Sequence, residues 1–257
     1  MKDIIIEKLN EIEKRNNVEI LYAVESGSRG WGFESTDSDF DVRFIYIHRP
    51  EWYLSIENKR DVIELPINDL LDINGWDIRK SLVLYKKSNP TLLEWLSSPI
   101  IYRQKTTFVF KLRNLLEEYF SSKSCIYHYL HMAEGNYREY LRGETVRIKK
   151  YFYVLRPIMA CMWVEKFGTQ PPMLFEELMN SLSLDKELIE ELNKLLIRKR
   201  AGKEMKEEKR IELLNMFLEE KMAYYNKIVK NLNICKNDNV EELDKLFRDT
   251  LAEAWNE

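Results

Sequence analysis

A glycine-rich turn followed by two closely spaced aspartates constrains this chain more than any other stretch of it. Three glycines fall within six residues: Gly27, Gly30 and Gly32. Residues 19–26 (EILYAVES) precede the turn and have the aliphatic and β-branched composition of a short buried strand. Asp39 and Asp41 follow the turn two positions apart. On the next strand this spacing directs both carboxylates to the same face.

The turn and the two carboxylates have a joint chemical interpretation. Gly27 can adopt backbone angles that are closed to Ser28, so the amide groups after the strand can point at an anion beside the serine hydroxyl. Two carboxylates on one face repel each other unless a divalent cation lies between them. Oxygen ligands alone suit Mg²⁺ or Mn²⁺ bound together with substrate phosphates. A solvated surface hairpin is the alternative, but it requires neither flanking apolar strands nor three glycines.

The order and spacing of these motifs resemble a known superfamily. Gly-Ser at 27–28, a short spacer and Asp-x-Asp at 39–41 between apolar residues resemble the signature of the nucleotidyltransferases that include DNA polymerase β. The chain looks more closely like a bacterial family of predicted nucleotidyltransferases, typified by the polymerase associated with RNA ligases. That resemblance extends over residues 72–102 and 149–157. It implies transfer of a nucleoside monophosphate from an NTP to an acceptor hydroxyl, with release of pyrophosphate.

The resemblance also implies roles for individual residues. Asp39 and Asp41 would bind one or two Mg²⁺ ions, and Gly27 and Ser28 would hold the β- and γ-phosphates. The cations expected to neutralise charge during transfer are Arg29, Arg43, Lys149 and Arg156. Lys149 and Arg156 are seven residues apart on a predicted helix, which gives them a common face among apolar residues. A pair of snorkelling side chains at a domain interface is the alternative for these two.

The superfamily requires a third carboxylate on a neighbouring strand, bracketed by apolar residues. Asp77 fits this bracket, leads into a predicted helix and is the preferred candidate, both as metal ligand and as catalytic residue. Asp72 is the second candidate and Glu64 the third. Strand alternation places positions 72 and 77 on opposite faces unless Gly75 carries a bulge. The alternative role for Asp77 is that of a helix N-cap.

The wider pattern predicts an α+β protein in two parts. Residues 1–105 form a nucleotidyltransferase catalytic domain with a small mixed sheet of about four strands, at 19–26, 41–47, 61–67 and 71–78. From Thr106 onward strand patterns vanish, and residues 106–257 form an all-helical substrate-binding domain. Its predicted helices are 108–120, 127–142, 144–167, 175–182, 186–201, 204–232 and 240–255. The active site is expected in the cleft between the two domains.

Composition excludes several other classes of protein. The 257 residues are 45% hydrophobic and 32% charged, which is ordinary for a soluble protein, and the net charge of −3 does not itself indicate nucleic-acid binding. Three distant cysteines, Cys125, Cys161 and Cys235, support neither a disulfide framework nor a zinc pattern. The amino terminus is typical of an amphipathic helix, and no apolar run reaches membrane-spanning length. A reduced cytoplasm fits these features.

The acceptor is not defined by the sequence. The resemblance suggests an RNA 3′ end, while a protein hydroxyl or a small molecule such as an aminoglycoside is allowed by the same chemistry. A basic helix at 194–210 could follow a nucleic-acid backbone, but its interleaved glutamates favour a solvated face. His128 and His131 lack a convergent carboxylate or cysteine, which favours a polar surface over a metal site. A non-catalytic nucleotide-binding module is the competing class of function.

Overall fold

The computed structural model describes residues 1–66, 70–202, 207–232 and 239–255. Its strands are β1 (Val18–Glu25), β2 (Phe40–His48), β3 (Val62–Glu64), β4 (Leu71–Asp77), β5 (Ile101–Gln104), β6 (Thr145–Arg147) and β7 (Glu207–Lys209). Its helices are α1 (Lys2–Asn16), α2 (Gly27–Gly30), α3 (Pro50–Tyr53), α4 (Ile78–Lys86), α5 (Pro90–Ser97), α6 (Phe108–Asn114), α7 (Leu116–Tyr119), α8 (Ser122–Tyr140), α9 (Phe152–Phe167), α10 (Phe175–Ser181), α11 (Lys186–Arg200), α12 (Glu212–Ile228) and α13 (Glu241–Trp255). Some predicted positions lie outside the described residues: the end of the strand predicted at 61–67, residues 203–206 of the helices predicted at 194–210 and 204–232, and Cys235.

The chain forms two compact units. The first contains Met1–Gly30, Asp39–Tyr119 and the carboxy-terminal helix α13. The second contains Trp31–Ser38 and the segment that begins at Phe120. This division differs from a boundary at residue 105, because α6, α7 and α13 belong to the unit that contains the five-stranded sheet and Trp31–Ser38 belongs to the helical unit. The separate catalytic and substrate-binding roles of residues 1–105 and 106–257 stay a prediction.

The first unit is built on a mixed sheet, as predicted. Among the described residues five strands pair in the order β3-β4-β2-β1-β5. The pair β2–β4 is parallel, and the other pairs are antiparallel. Strand β5 is an addition to the prediction, since four residues with mostly partial or full exposure carry too little apolar alternation to indicate a strand. Its pairing with β1 defines it.

Helix α1 covers one face of this sheet. Its buried residues Ile5, Leu9 and Ile12 recur at helical spacing and pack into the same core as Val42 and Phe44 of β2. Helix α1 ends where Asn17 adopts a left-handed conformation with φ 50°. The core face of β2 is therefore fixed by packing, which also fixes where its other side chains point.

The second unit is largely helical, with one addition to the prediction. Helix α9 runs through Pro157 and is buried along most of its length, with α8, α10 and α12 packed around it. The residues before it do not continue the helix: β6 pairs with β7 in a short antiparallel ladder, and a 3₁₀ turn, Ile148–Tyr151, follows. None of the described helices has the length and apolar character needed to cross a membrane.

Candidate active site

The turn after β1 is shaped around one aspartate of β2. Gly27 has φ +55°, the positive value expected for a glycine at this turn. A Cβ atom on Gly27 would lie 1.8 Å from Oδ2 of Asp41, well inside van der Waals contact. The neighbouring Ser26 N–H donates to the backbone oxygen of Asp41 at 2.8 Å. Glycine is therefore required at position 27 for two reasons: the backbone angle φ is positive, and the Asp41 carboxylate occupies the space that a Cβ atom would need.

Arg29 and Asp39 lie next to this turn. The Arg29 Nε donates to the backbone oxygen of Asp39 at 3.1 Å, and its guanidinium carbon lies 3.8 Å from the centroid of the Phe40 ring. Asp39 is exposed and directly precedes β2, while Asp41 is partly buried within it. The short helix α2 thus places a cation, Arg29, at the point where the two aspartates enter the sheet.

The parallel pairing of β2 and β4 brings a second strand's carboxylate to Asp41. Asp41 is paired in register with Asp72, and Arg43 joins the two side chains. The Arg43 Nη2 lies 3.0 Å from Oδ1 of Asp41 and 2.7 Å from Oδ2 of Asp72. All three side chains are between 18% and 24% exposed. This small, partly open site joins the two strands through charge-assisted hydrogen bonds.

Negative charge accumulates around Asp41. Burial raises the pKa of its carboxyl above the usual value; Arg43 opposes this shift, and the nearby charges of Asp39 and Asp72 add to it. Such a group of hard oxygen donors suits a divalent cation. Among the described residues, however, no three Asp, Glu, His or Cys side chains converge closely enough to form a metal site as they stand. Arg43 supplies the positive charge between Asp41 and Asp72 in this arrangement.

Glu25 is part of the site and was not predicted. Its side chain is fully buried at the end of β1, where Oε1 accepts the backbone N–H of Asp41 at 2.7 Å and Oε2 accepts the hydroxyl of Tyr102. Burial raises the pKa of Glu25 to about 6, despite these two hydrogen bonds. Glu25 therefore positions the backbone of Asp41 from behind the site.

Asp77 lies elsewhere. The β2–β4 register runs without a shift from Phe40 to Tyr46, so Gly75 carries no bulge and Asp72 and Asp77 stay on opposite faces. Gly75 instead makes room for the ring of Phe44, which a Cβ atom there would meet at 2.1 Å. Asp77 caps α4 by accepting the Arg79 N–H at 2.8 Å, and it accepts the Tyr53 hydroxyl at 2.7 Å. The structure brings Asp72, not Asp77, to Asp41.

Comparison with known proteins identifies the family of this chain. The sequence model of the RNA repair pathway DNA polymerase beta family matches residues 1–249. The chain belongs to this family. A relative in Bacillus subtilis (strain 168), named "Uncharacterized protein YcgL", is 53% identical over 255 residues, which cover 99% of this chain and 98% of the relative. The resemblance to DNA polymerase β-type nucleotidyltransferases that the motifs indicated is thus confirmed at the level of the family.

A solved structure is also similar. A nucleotidyltransferase-like protein from Exiguobacterium sibiricum has 13% sequence identity to this chain and a TM-score of 0.29. The match covers 83% of this chain and 69% of that protein. A score this low carries no weight beside the family match.

Glu64 is the third candidate for the third carboxylate. It lies on the edge strand β3. It is exposed, forms an ion pair with Arg60 and accepts a hydrogen bond from the amide of Asn74 at 3.0 Å. None of these contacts involves Asp39 or Asp41. Of the three candidates, Asp72 is the one whose carboxylate lies beside Asp41, with Arg43 between them.

Lys149 and Arg156, which are also predicted to bind nucleotide, belong to the second unit. Arg156 is 1% exposed within α9; its Nη2 lies 3.4 Å from the backbone oxygens of Pro172 and Met173, and its guanidinium carbon lies 4.9 Å from the Trp31 ring centroid. Lys149 is partly buried in the 3₁₀ turn before α9. The guanidinium of Arg156 is thus engaged inside the helical unit.

The basic end of α11 resembles a neutralised helix face more than a nucleic-acid surface. Arg198 pairs with Glu208, and Arg200 pairs with Glu176 at 2.8 Å. Lys199 is only 7% exposed. The ion pairs of Arg198 and Arg200 are consistent with the solvated alternative for this segment, whereas Lys199 is buried and does not belong to a solvated face.

Proposed function

We propose that this protein transfers a nucleoside monophosphate from an NTP to an acceptor hydroxyl and releases pyrophosphate. One observation carries the proposal: Gly27, Asp41 and Asp72, from three different elements, meet at one end of the sheet. A fold alone hosts many functions, so this grouping is what supports the chemistry. Membership of a DNA polymerase β-type family is consistent with it.

The nucleotide would bind at the turn. The backbone of Gly27 and the hydroxyl of Ser28 would hold the β- and γ-phosphates, because a turn with positive φ can direct successive amides at an anion. Arg29 lies beside Asp39 and would neutralise part of the triphosphate charge. These three residues belong to the first unit and directly follow β1.

The carboxylates fit a divalent cation by their chemistry. Asp39, Asp41 and Asp72 offer only oxygen donors, which are the ligands that Mg²⁺ and Mn²⁺ take when they are bound jointly with phosphates. When bound, such an ion neutralises charge on the transferring phosphoryl group. Arg43 already contacts Oδ1 of Asp41 and Oδ2 of Asp72, so a cation would compete with it for the same oxygens.

Asp72 takes the role of the third carboxylate in this proposal. It is partly exposed beside Asp41, where it can accept the proton of an incoming hydroxyl or complete the ligand set. Asp77, the residue preferred from the sequence, is fully buried and uses both carboxylate oxygens for the Arg79 N–H and the Tyr53 hydroxyl. We therefore assign Asp77 to capping α4.

An RNA 3′ hydroxyl is the acceptor that we propose, since the description of the family refers to an RNA repair pathway. The test uses α-phosphate-labelled NTPs with Mg²⁺ or Mn²⁺ and RNA that ends in either a 3′ hydroxyl or a 3′ phosphate. Labelling of the first RNA alone supports the proposal. Labelling of pooled protein or of small molecules, with none on RNA, would replace the acceptor and leave the transfer reaction standing.

A non-catalytic nucleotide-binding module is the second candidate. It is favoured by the Arg43 bridge, which neutralises Asp41 and Asp72 without a metal. Wild-type protein that binds NTP, but labels no acceptor class with either metal, would select this candidate. Asp41→Asn removes one candidate ligand, and Asp3→Asn on the exposed start of α1 is the matched control with the same chemical change. Activity that survives in both variants would contradict the assigned site.

A further inference from the structure

A cavity lies within the first unit, toward the opposite end of β2 from Asp41. Its volume is about 610 Å³, which is within the usual size range for a small-molecule site. Residues that line it include Arg15, Tyr46, His48, Trp52, Lys59 and Arg60. Tyr46 is five residues beyond Asp41 on the same strand, or about 17 Å at the usual rise of a strand. The cavity is therefore separate from the candidate active site.

A buried hydroxyl in this cavity lacks a partner. The Tyr46 side chain is fully buried, and among the described residues no group forms a hydrogen bond with its hydroxyl. Leaving a buried hydroxyl unpaired costs about 1–3 kcal/mol, so native structures usually satisfy such groups. The Tyr46 hydroxyl therefore offers an unused hydrogen bond, which a polar atom of a ligand in the cavity would satisfy.

Two stacked rings also line the cavity. The ring centroids of His48 and Trp52 are 4.0 Å apart and the planes are nearly parallel, at 7°. Both side chains are only partly buried. Burial, with a smaller effect from Lys59, lowers the pKa of His48 to about 4, so this stack is neutral at pH 7. A neutral aromatic stack of this kind can be extended by another planar ring.

Cations lie beside the stack, while the carboxylates of Asp61 and Asp77 act electrostatically on Tyr46. Lys59 Nζ lies 5.3 Å from the Trp52 ring centroid, and neither Lys59 nor Arg15 forms an ion pair with any described residue. Arg60 is paired with Glu64, the acidic residue in the lining. The lining therefore has an excess of exposed cations, which favours a ligand with a negative charge.

We propose that this cavity binds a nucleoside monophosphate, with the base against the His48–Trp52 stack and the phosphate near Lys59 and Arg15. The Tyr46 hydroxyl donates to a polar atom of the ligand. Aromatic base, anionic phosphate and hydrogen-bond acceptor together match the three features of the lining. This binding site does not depend on the transfer reaction proposed for Asp41 and Asp72.

The test is calorimetric titration of the full chain with each of the four common nucleoside monophosphates in EDTA, which keeps divalent cations from the Asp41 region. Trp52→Leu should weaken binding by about 5- to 100-fold, the usual range for loss of one base stack. Lys59→Ala should weaken it by about 2- to 5-fold, as expected for the loss of an exposed ion pair. Lys87→Ala, an exposed lysine at the end of α4, is the matched control and should bind as wild type does.

Tyr46→Phe provides an independent measurement. It removes only the unpaired hydroxyl, so the melting temperature without ligand should stay the same or rise, while affinity falls by about 2- to 10-fold. A lower melting temperature without ligand would mean that the hydroxyl has a structural partner, and would overturn the proposal.

Three other outcomes overturn the proposal as well. One is the absence of binding by all four nucleotides at millimolar concentration. Another is binding that is lost in Asp41→Asn and kept in Trp52→Leu, because the nucleotide would then occupy the other end of β2. The third is competition by inorganic phosphate alone that matches competition by the whole nucleotide, which would leave no role for the aromatic stack.

Discussion

Asp72 and Asp77 lie at the two ends of strand β4, and the strand gives them opposite environments. Asp72 is 24% exposed, is paired with Arg43 and lies opposite Asp41 in the parallel ladder. Asp77 is fully buried, caps α4 and accepts the hydroxyl of Tyr53. Burial raises the pKa of Asp77 to about 6, even though both hydrogen bonds and Arg79 act in the other direction. The comparison teaches that the apolar bracket around an aspartate does not determine where its carboxylate lies, whereas the strand register does.

The largest effect expected from this comparison is on the rate of nucleotidyl transfer. Asp72→Asn should lower the chemical step by about 10²- to 10⁴-fold, the range for loss of a positioned proton acceptor. Asp77→Asn should leave the rate within about threefold of wild type, since asparagine caps a helix about as well as aspartate does. Single-turnover measurements with labelled NTP would compare the two variants directly. Equal losses in both, or a loss in Asp77→Asn alone, would reverse the assignment.

The next effect concerns stability and its dependence on pH. The folded pKa of Asp77 is about 6, above the unfolded value near 4, so its contribution to stability is present below pH 4 and is lost as pH rises through 6. Asp77→Asn should therefore raise the free energy of unfolding at pH 7 by at most about 3 kcal/mol, because the amide keeps one of the two acceptor oxygens, and by much less at pH 4. Urea unfolding at several pH values measures this difference. A gain that does not change with pH would contradict the raised pKa.

Gly27→Ala tests the site around Asp41 and Asp72, because Gly27 contacts the Asp41 carboxylate. Positive φ costs a residue with a Cβ about 1–2 kcal/mol, and the new methyl group would displace the Asp41 carboxylate. We expect lower thermal stability and lower affinity for NTP, with the pH dependence of stability that Asp77 gives left unchanged. Gly135→Ala in α8 is the matched control, because a Cβ there meets no atom within 4 Å and should stabilise the helix by about 0.5–1 kcal/mol. Similar results for both glycines would argue against a special role for Gly27.

The smallest effect concerns the partner of Asp77. Tyr53→Phe removes the donor to Asp77 and the oxygen that accepts the His48 N–H at 3.0 Å, so stability should fall by about 1 kcal/mol at pH 7. Because the lost hydrogen bond favours ionised Asp77, Asp77→Asn should reduce the cost of Tyr53→Phe. A double-mutant cycle in denaturant measures this coupling. Strict additivity would show that the two side chains do not interact in solution.

Local patterns in the sequence predicted one side of the site well. The strand, the glycine turn and the Asp-x-Asp motif are consecutive, so the positive φ at Gly27 and the entry of Asp41 into β2 could be anticipated from spacing alone. The choice between Asp72 and Asp77 could not, because it depends on the register of two strands that are about 30 residues apart. The preference for Asp77 came from its lead into a helix, which is the feature that makes it a cap.

Other parts of the structure were missed for related reasons. Glu25 ends a strand and, as a charged residue, gave no indication of burial; contacts from distant segments enclose it, among them the β1–β2 pairing and Tyr102 of β5. Strands β6 and β7 are three residues each and become visible through their pairing across about 60 residues of sequence. Long-range pairing of short segments leaves little periodicity in the sequence from which to predict it.

The backbone of Asp41 is held at both of its polar groups by the residues just before the turn. Glu25 accepts its N–H through a side-chain oxygen, and the N–H of Ser26 donates to its carbonyl oxygen. These two hydrogen bonds join the end of β1 to the start of β2 at a single residue, Asp41. A displacement of the turn would therefore also displace the backbone of Asp41. A ligand that shifts residues 26–27 is thus expected to shift the backbone of Asp41 as well.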